Sequence, residues 1–125
     1  MDRQVKEPSE VLSEFLSYID RIRYNYKAAH DAVKKEEKRL QDLLHELEFA
    51  EGENEKRRAG TRLQQSRRER RRRKDEVKRL EMIVRFFDEP THKGTLNKMR
   101  QLLGKQRKEE EYLNGERHYN KRVDG

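Results

Sequence analysis

An unbroken heptad pattern of apolar residues runs through the first half of the chain and limits what it can fold into. Residues 9–51 contain neither Gly nor Pro, and their apolar side chains recur at alternating spacings of three and four. One polar residue, Glu36, interrupts the pattern. The pattern predicts one helix of about 60 Å that needs a partner along its length. Its two sets of positions are Leu12, Ile19, Tyr26, Val33, Leu40 and Leu47, and Phe15, Ile22, Ala29, Glu36, Leu43 and Ala50.

A second apolar seam follows and supplies that partner. It ends near Asp88, because Pro90 disfavours helical backbone at the residue before it. The seam consists of Leu63, Ser66, Arg70, Arg73, Val77, Leu80, Val84 and Phe87. The second half of the chain therefore predicts another long helix, over residues 54–88.

Two turn signals lie between the seams, at Gly52-Glu53-Asn54 and at Gly60. A turn at Gly52 pairs the helices antiparallel with partner numbers that sum to about 105, and it places the polar residue Glu36 beside Arg70. A turn at Gly60 would place Glu36 against the apolar Leu80. We therefore expect the turn at Gly52, with Gly60 a weak point inside the second helix.

The last part of the chain predicts a third helix over residues 95–113. Residues 91–94 form a short connection, and Thr95 is a candidate helix cap. The apolar side chains of the third helix need a surface to cover, and the open end of the hairpin offers one. The predicted fold class is therefore all-α: a long antiparallel helical hairpin, coiled-coil-like, with a third helix packing on its open end. The predicted organisation is a flexible N-terminus over 1–8, one helical domain over 9–113 with helices at 9–51, 54–88 and 95–113, and a flexible tail over 114–125.

Charge is distributed unevenly along the chain, whose net charge is +7 with 46% charged residues. Residues 9–51 carry 7 basic and 10 acidic side chains, whereas residues 56–79 carry 13 basic and 3 acidic ones, a net charge of +10. The basic side chains are densest over residues 64–75. A segment so strongly basic favours an anionic partner, although acidic residues of the first helix can neutralise part of the charge.

The basic residues of the second helix divide into two predicted roles. Arg70 and Arg73 fall on the seam, where Glu36, and also Glu37 and Asp31, can pair with them and set the register of the hairpin. The others are available to phosphate oxygens, which arginine side chains bind well. The alternative is a solvated coiled-coil surface. The candidate nucleic-acid- or anion-binding residues are Arg57, Arg58, Arg62, Arg67, Arg68, Arg71, Arg72, Lys74 and Lys78.

Several classes of function are disfavoured by what the sequence lacks. No phosphate-binding glycine loop or nucleophile motif is present, so we expect no enzyme, no catalytic residue, no cofactor and no small-molecule substrate. The absence of cysteine excludes disulfides and thiolate zinc sites. Asp42 and His45 have the spacing of half a carboxylate-bridged metal site, but no second copy follows, so no metal is expected. No apolar run could cross a membrane, which predicts a soluble, cytoplasmic protein without a membrane partner.

Three segments carry a resemblance: FLSYIDRIRYNYKAAHDAV, LLHELE and RRERRRRKDEVKRLEMIVRFFDE. They resemble small, charged helical proteins encoded by phages and prophages of low-GC Gram-positive bacteria, over about residues 12–113. No functional residue is carried over from that resemblance. It implies an accessory protein in the bacterial host cell, acting on DNA metabolism or against a host defence complex.

Three hypotheses for the function follow from these patterns. The first is a non-enzymatic binding protein whose Arg-rich helix engages nucleic acid or a nucleoprotein complex. The alternative is a protein-directed inhibitor or adaptor that occupies an acidic or nucleic-acid-binding groove on another protein. The third is a structural coiled-coil protein that self-associates, for example as a homodimer.

Overall fold

Three helices and no strand make up the part of the chain described by the computed structural model, which is residues 5–115. The helices are α1, Pro8–Phe49, α2, Gly52–Asp88, and α3, Pro90–Asn114. The predicted all-α fold is thereby confirmed. Most of the predicted flexible tail, residues 116–125, lies outside the described residues, as do residues 1–4 of the predicted flexible N-terminus.

The connection between α1 and α2 contains only Ala50 and Glu51. Gly52, which follows, has a φ of +81°, a conformation that a residue with a Cβ adopts only with strain. The backbone N–H of Glu51 donates to Glu55 Oε2 at 2.8 Å, which satisfies one exposed donor at the turn. The prediction of a turn at Gly52 is confirmed, and the alternative, Gly60, lies inside α2.

The chain divides into two compact units, of which the larger is the hairpin unit, residues 20–86. In it α1 and α2 run antiparallel, as the contacts Glu46–Arg62 and Glu37–Arg70 show. Its buried side chains follow the predicted seams, and they include two polar residues. They are Ile22, Ala29, Glu36, Leu43, Ala59, Leu63, Ser66 and Val84.

The second compact unit, which we call the three-helix unit, contains residues 5–19 and 87–115 of the described chain. Leu16, Ile19 and Leu96 form its buried core, and Leu96 is only 2% exposed. Partly buried apolar side chains surround that core: Leu12, Phe87, Met99 and Leu103. α3 therefore packs against the start of α1 and the end of α2, as the apolar face of the third helix predicted.

α3 begins at Pro90, five residues before its predicted start. A proline suits the first turn of a helix, because its missing N–H has no intrahelical acceptor there. Glu89 precedes it with φ −61° and ψ 138°, which is the extended backbone that a following proline favours. The predicted connection over 91–94 is therefore helical. Thr95 does not cap the helix, since its Oγ1 donates to the Thr91 carbonyl within it at 3.1 Å.

A buried carboxylate, which no sequence pattern predicted, links α3 to the start of α1. Glu110 is 8% exposed and accepts hydrogen bonds from both the hydroxyl and the backbone N–H of Ser9, the latter at 3.0 Å. Gln106 Nε2 donates to the same carboxylate at 2.9 Å. The hydrogen bond from the Ser9 hydroxyl is the largest influence that lowers the pKa of Glu110. Its negative charge lies at the positive end of the α1 dipole, where it is stabilising.

Candidate nucleic-acid interface

All nine basic residues proposed to bind an anion lie on α2 with exposed side chains. Two of them are engaged in ion pairs: Arg62 with Glu46 at 3.1 Å and Arg72 with Glu69 at 2.7 Å. Within residues 5–115, the other seven make no ion pair: Arg57, Arg58, Arg67, Arg68, Arg71, Lys74 and Lys78. These seven side chains are therefore available to an external anion.

Four of the seven form a line along one side of α2, which we call the cation row: Arg67, Arg71, Lys74 and Lys78. Spacings of four, three and four residues place them together, because an α-helix turns about 100° per residue. The row is about 16 Å long at 1.5 Å per residue. Of the acidic residues between its ends, Glu69 and Glu76 project from the opposite side of the helix, whereas Asp75 lies about 40° from Arg71. The row is thus a strip of four cations with one acidic residue, Asp75, at its edge.

A shallow groove runs along the cation row where α2 meets α1. Its lining consists of Leu40, Arg67, Arg70, Arg71 and Lys74. One acidic residue of α1, Glu37, is close by, and its Oε1 already accepts a hydrogen bond from Arg70 Nη2 at 3.2 Å. The groove therefore combines an aliphatic floor with unpaired positive charge.

The other side of the seam differs, because its basic side chains are neutralised. The groove there is lined by Arg39, Leu43, Arg62, Gln65, Ser66 and Glu69. Arg72 and Arg73 both donate to Glu69, and the hydrogen bond from Arg72 is the largest influence that lowers the pKa of Glu69. Arg62 is held by Glu46. An anion approaching this side would have to compete with the acids already present.

A polar layer in the middle of the hairpin fixes the position of the cation row. Glu36 is 8% exposed, and its Oε2 accepts a hydrogen bond from the Ser66 hydroxyl at 3.1 Å, while Arg39 donates to Oε1 at 3.1 Å. Of the expected partners, Arg70 pairs with Glu37 and not with Glu36, while Arg73 pairs with Glu69 in its own helix. The reason is side-chain length: the short Ser66 can sit inside the seam, whereas an arginine reaches past it to an acid at the edge. The sequence analysis identified Glu36 as the buried polar residue but not its partner.

The remaining candidates do not belong to the row. Arg57, Arg58 and Arg62 line a shallow surface near the start of α2 together with Thr61, and Arg68 projects from the outer side of the helix, away from α1. The sequence analysis treated all nine residues as one set of candidates. The spacing of four, three and four could have separated the row, and the i,i+3 spacing of Glu69 and Arg72 could have indicated that pair, but the pair of Arg62 with Glu46 depends on a contact between the helices.

Apart from this charged surface, the described residues form few arrangements that could bind a ligand or a partner. Within residues 5–115, no three side chains among His, Asp and Glu are grouped so that they could hold a metal ion. None of the helices described there is long and apolar enough to span a membrane. The cation row is thus the most distinctive feature that could bind a partner.

Comparison of the chain with protein-family models, curated proteins and solved structures gave no match. The resemblance to phage-encoded helical proteins therefore stays a prediction. What can be inferred about function rests on the residues and geometry of this chain.

Proposed function

We propose that the protein is a non-enzymatic nucleic-acid-binding protein whose cation row contacts backbone phosphates. The observation that carries the proposal is the contrast between the two sides of the α1–α2 seam. Four exposed cations on one side have no acidic partner within residues 5–115, whereas Arg62 and Arg72 on the other side are paired. Arginine and lysine in such a row bind phosphates by charge and hydrogen bonding, with release of counterions.

The test is a charge-matched pair of variants on the same helix. One variant removes the row, with Arg67, Arg71, Lys74 and Lys78 all replaced by Gln. The control replaces four other exposed cations of α2 that have no ion pair in the described chain: Arg57, Arg58, Arg68 and Arg79. Both lose the same charge, and circular dichroism checks that both remain helical, as exposed substitutions usually allow.

Binding to labelled DNA and RNA, measured by fluorescence anisotropy, separates the outcomes. We expect the wild-type chain to bind at about 50 mM salt and to weaken on the order of 150-fold by 200 mM if four phosphates are contacted. The row variant should lose binding, while the control should retain most of it. Equal losses would mean that total charge, and not the row, drives binding. No binding by the wild-type chain at low salt would overturn the proposal.

A second candidate is the protein-directed inhibitor or adaptor, and one observation favours it. Met82 and Phe86 of α2 are 82% and 49% exposed at a spacing of four residues, which places them on one side of the helix. Exposed apolar side chains of this kind often contact another protein. Such a complex would have a fixed stoichiometry, would persist in salt that removes phosphate contacts, and would be weakened by Met82→Ser rather than by loss of the row.

A further inference from the structure

The backbone positions of the cation row are set by a helix, and this property bears on which nucleic acid the row suits. Its four side chains project from the middle of a 37-residue helix that is packed against α1, so their spacing is set by the helix and not by a loop. Duplex phosphates also have a fixed spacing, of about 3.4 Å along the axis for each strand. A row of about 16 Å therefore runs beside roughly five base pairs. The Arg and Lys side chains lose rotamer freedom on binding either form, but a duplex keeps its own backbone conformation, whereas a single strand must be ordered on binding.

Proteins that bind single strands offset that ordering by stacking bases on aromatic side chains. The groove along the row has no aromatic residue in its lining, which is Leu40, Arg67, Arg70, Arg71 and Lys74. In the hairpin unit, Tyr26 is half-buried and packs edge-on against His30, with ring centroids 4.6 Å apart. Tyr24 is exposed but lines a different groove, with Lys27, Ala28 and Asp31. The groove beside Arg67, Arg71 and Lys74 therefore lacks the stacking surface that proteins binding single strands commonly use.

The pairing of α2 with α1 also limits how deeply the row can enter a duplex. A single helix is about 10–12 Å in diameter and fits the major groove, which is about 12 Å wide. Two packed helices, with axes about 8–10 Å apart, present a side about 20 Å across. Such a side rests on the phosphate backbones and does not reach the base edges. The contacts it makes position the duplex without reading its sequence.

We infer that the cation row binds the phosphate backbone of double-stranded nucleic acid, in preference to single strands and without base readout. This inference rests on the proposed function and adds the class of nucleic acid to it. It requires that the same four residues cause both the salt dependence of binding and the preference for duplexes over single strands.

The experiment compares four labelled probes of one sequence: a DNA duplex, each of its two strands alone, and the corresponding RNA duplex. The duplexes have about 20 base pairs, which is longer than the roughly five base pairs that the row spans. We expect at least one duplex to bind more tightly than both single strands. The slope of log affinity against log salt for duplex DNA should be about −3.6, the value for four phosphates. A duplex of shuffled sequence should bind equally well.

The outcomes distinguish this inference from the proposed function. Tighter or equal binding of a single strand, lost in the row variant, would overturn the duplex inference and leave the proposed function standing. A preference of about tenfold or more for one duplex sequence over its shuffled form would overturn backbone-only recognition, since mismatched bases then matter. No binding of any probe at low salt would overturn both. Replacing Arg71 and Lys74 alone should change the slope for duplex DNA from about −3.6 to about −1.8, a change that a merely structural role would not cause.

Discussion

The three-helix unit and the hairpin unit are stabilised in different ways. In the three-helix unit, Leu16, Ile19 and Leu96 meet in one contiguous apolar core. In the hairpin unit the buried residues are strung along two helices, and Glu36 and Ser66 form a polar layer among them. Apolar burial is strong but non-directional, whereas a buried hydrogen bond fixes which residues face each other. The comparison indicates that the three-helix unit depends on one apolar cluster, whereas the hairpin unit combines dispersed apolar burial with a polar contact that defines its register.

That register has a consequence for the proposed interface. The contacts of Glu36 with Ser66 and of Arg70 with Glu37 set which residues of α1 lie beside the row. A slip of the helices past each other would bring the row alongside other residues of α1. The polar layer therefore positions the row, although it takes no part in binding an anion. Substitutions in the two units should consequently have different effects, and four of them test the comparison.

The largest effect is expected from Leu96→Ala in the three-helix core. Leu96 is 2% exposed, and removing a buried leucine side chain lowers the free energy of unfolding by about 2–5 kcal/mol through lost burial and the cavity left behind. Urea unfolding followed by circular dichroism measures it. Leu102→Ala is the matched control, because Leu102 lies on the same helix and is 52% exposed; its effect should be within about 0.5 kcal/mol. Similar losses in both variants would show that Leu96 does not anchor the core.

The next effect tests the polar layer of the hairpin. Glu36→Ala leaves the buried Ser66 hydroxyl without its acceptor, so the free energy of unfolding should fall by about 1–3 kcal/mol. The control is Glu46→Ala, which removes an exposed ion pair with Arg62 whose expected contribution is about 0–1 kcal/mol. A double variant, Glu36→Leu with Ser66→Ala, should recover most of the stability, since an apolar pair leaves no unsatisfied group. If Glu36→Ala costs no more than Glu46→Ala, the layer does not specify the hairpin.

A third prediction concerns pH and the carboxylate of Glu110. Because its pKa is lowered in the folded chain, the ionised carboxylate stabilises the fold above about pH 4.3, the ordinary value for glutamate. This contribution is lost as the pH falls through the lowered pKa. Glu110→Gln should therefore be less stable than the wild-type chain at pH 7, and the difference should shrink in acid.

The measurement for Glu110 is the free energy of unfolding at a series of pH values between about 7 and 3, the range across which glutamate titrates. Glu109→Gln provides the control, since Glu109 is an exposed neighbour on the same helix. It should follow the wild-type chain across the series. A difference between Glu110→Gln and the wild-type chain that stays constant with pH would show that the charge of Glu110 is not what stabilises the start of α1.

Much of the hairpin could be predicted because its information is local and periodic. The heptads indicate the helices and their buried sides, and the glycine indicates the turn, each from a pattern of a few residues. The predicted turn at Gly52 is correct. The start of α3 was misplaced because a proline both ends one helix and begins another, and sequence does not say which role dominates.

The contacts that sequence could not predict are those between residues far apart in the chain. Glu110 stands in a run of three glutamates, and only the packing of α3 on α1 selects it for the contact with Ser9. The partner of Glu36 was missed for a related reason. Pairing by residue number locates a partner to about one helical turn, or 5.4 Å, which cannot decide between Ser66 and Arg70. The ion pairs of Arg62 with Glu46 and of Arg70 with Glu37 likewise join residues far apart in the chain.

The smallest effect is expected from the two glycines of α2, and it should have opposite signs. Gly60 lies in the helix interior, and a Cβ built there meets no other atom within 4 Å. Gly60→Ala should therefore raise the free energy of unfolding by about 0.5–1 kcal/mol, because alanine loses less backbone entropy. Gly52→Ala should lower it by about 1–2 kcal/mol, because the φ of +81° is strained for any residue with a Cβ. Thermal unfolding of both variants measures the signs, and a gain from Gly52→Ala would contradict the conformation of the turn. If Gly60→Ala also leaves nucleic-acid binding unchanged, the stability of the hairpin and the affinity of the row can be varied independently.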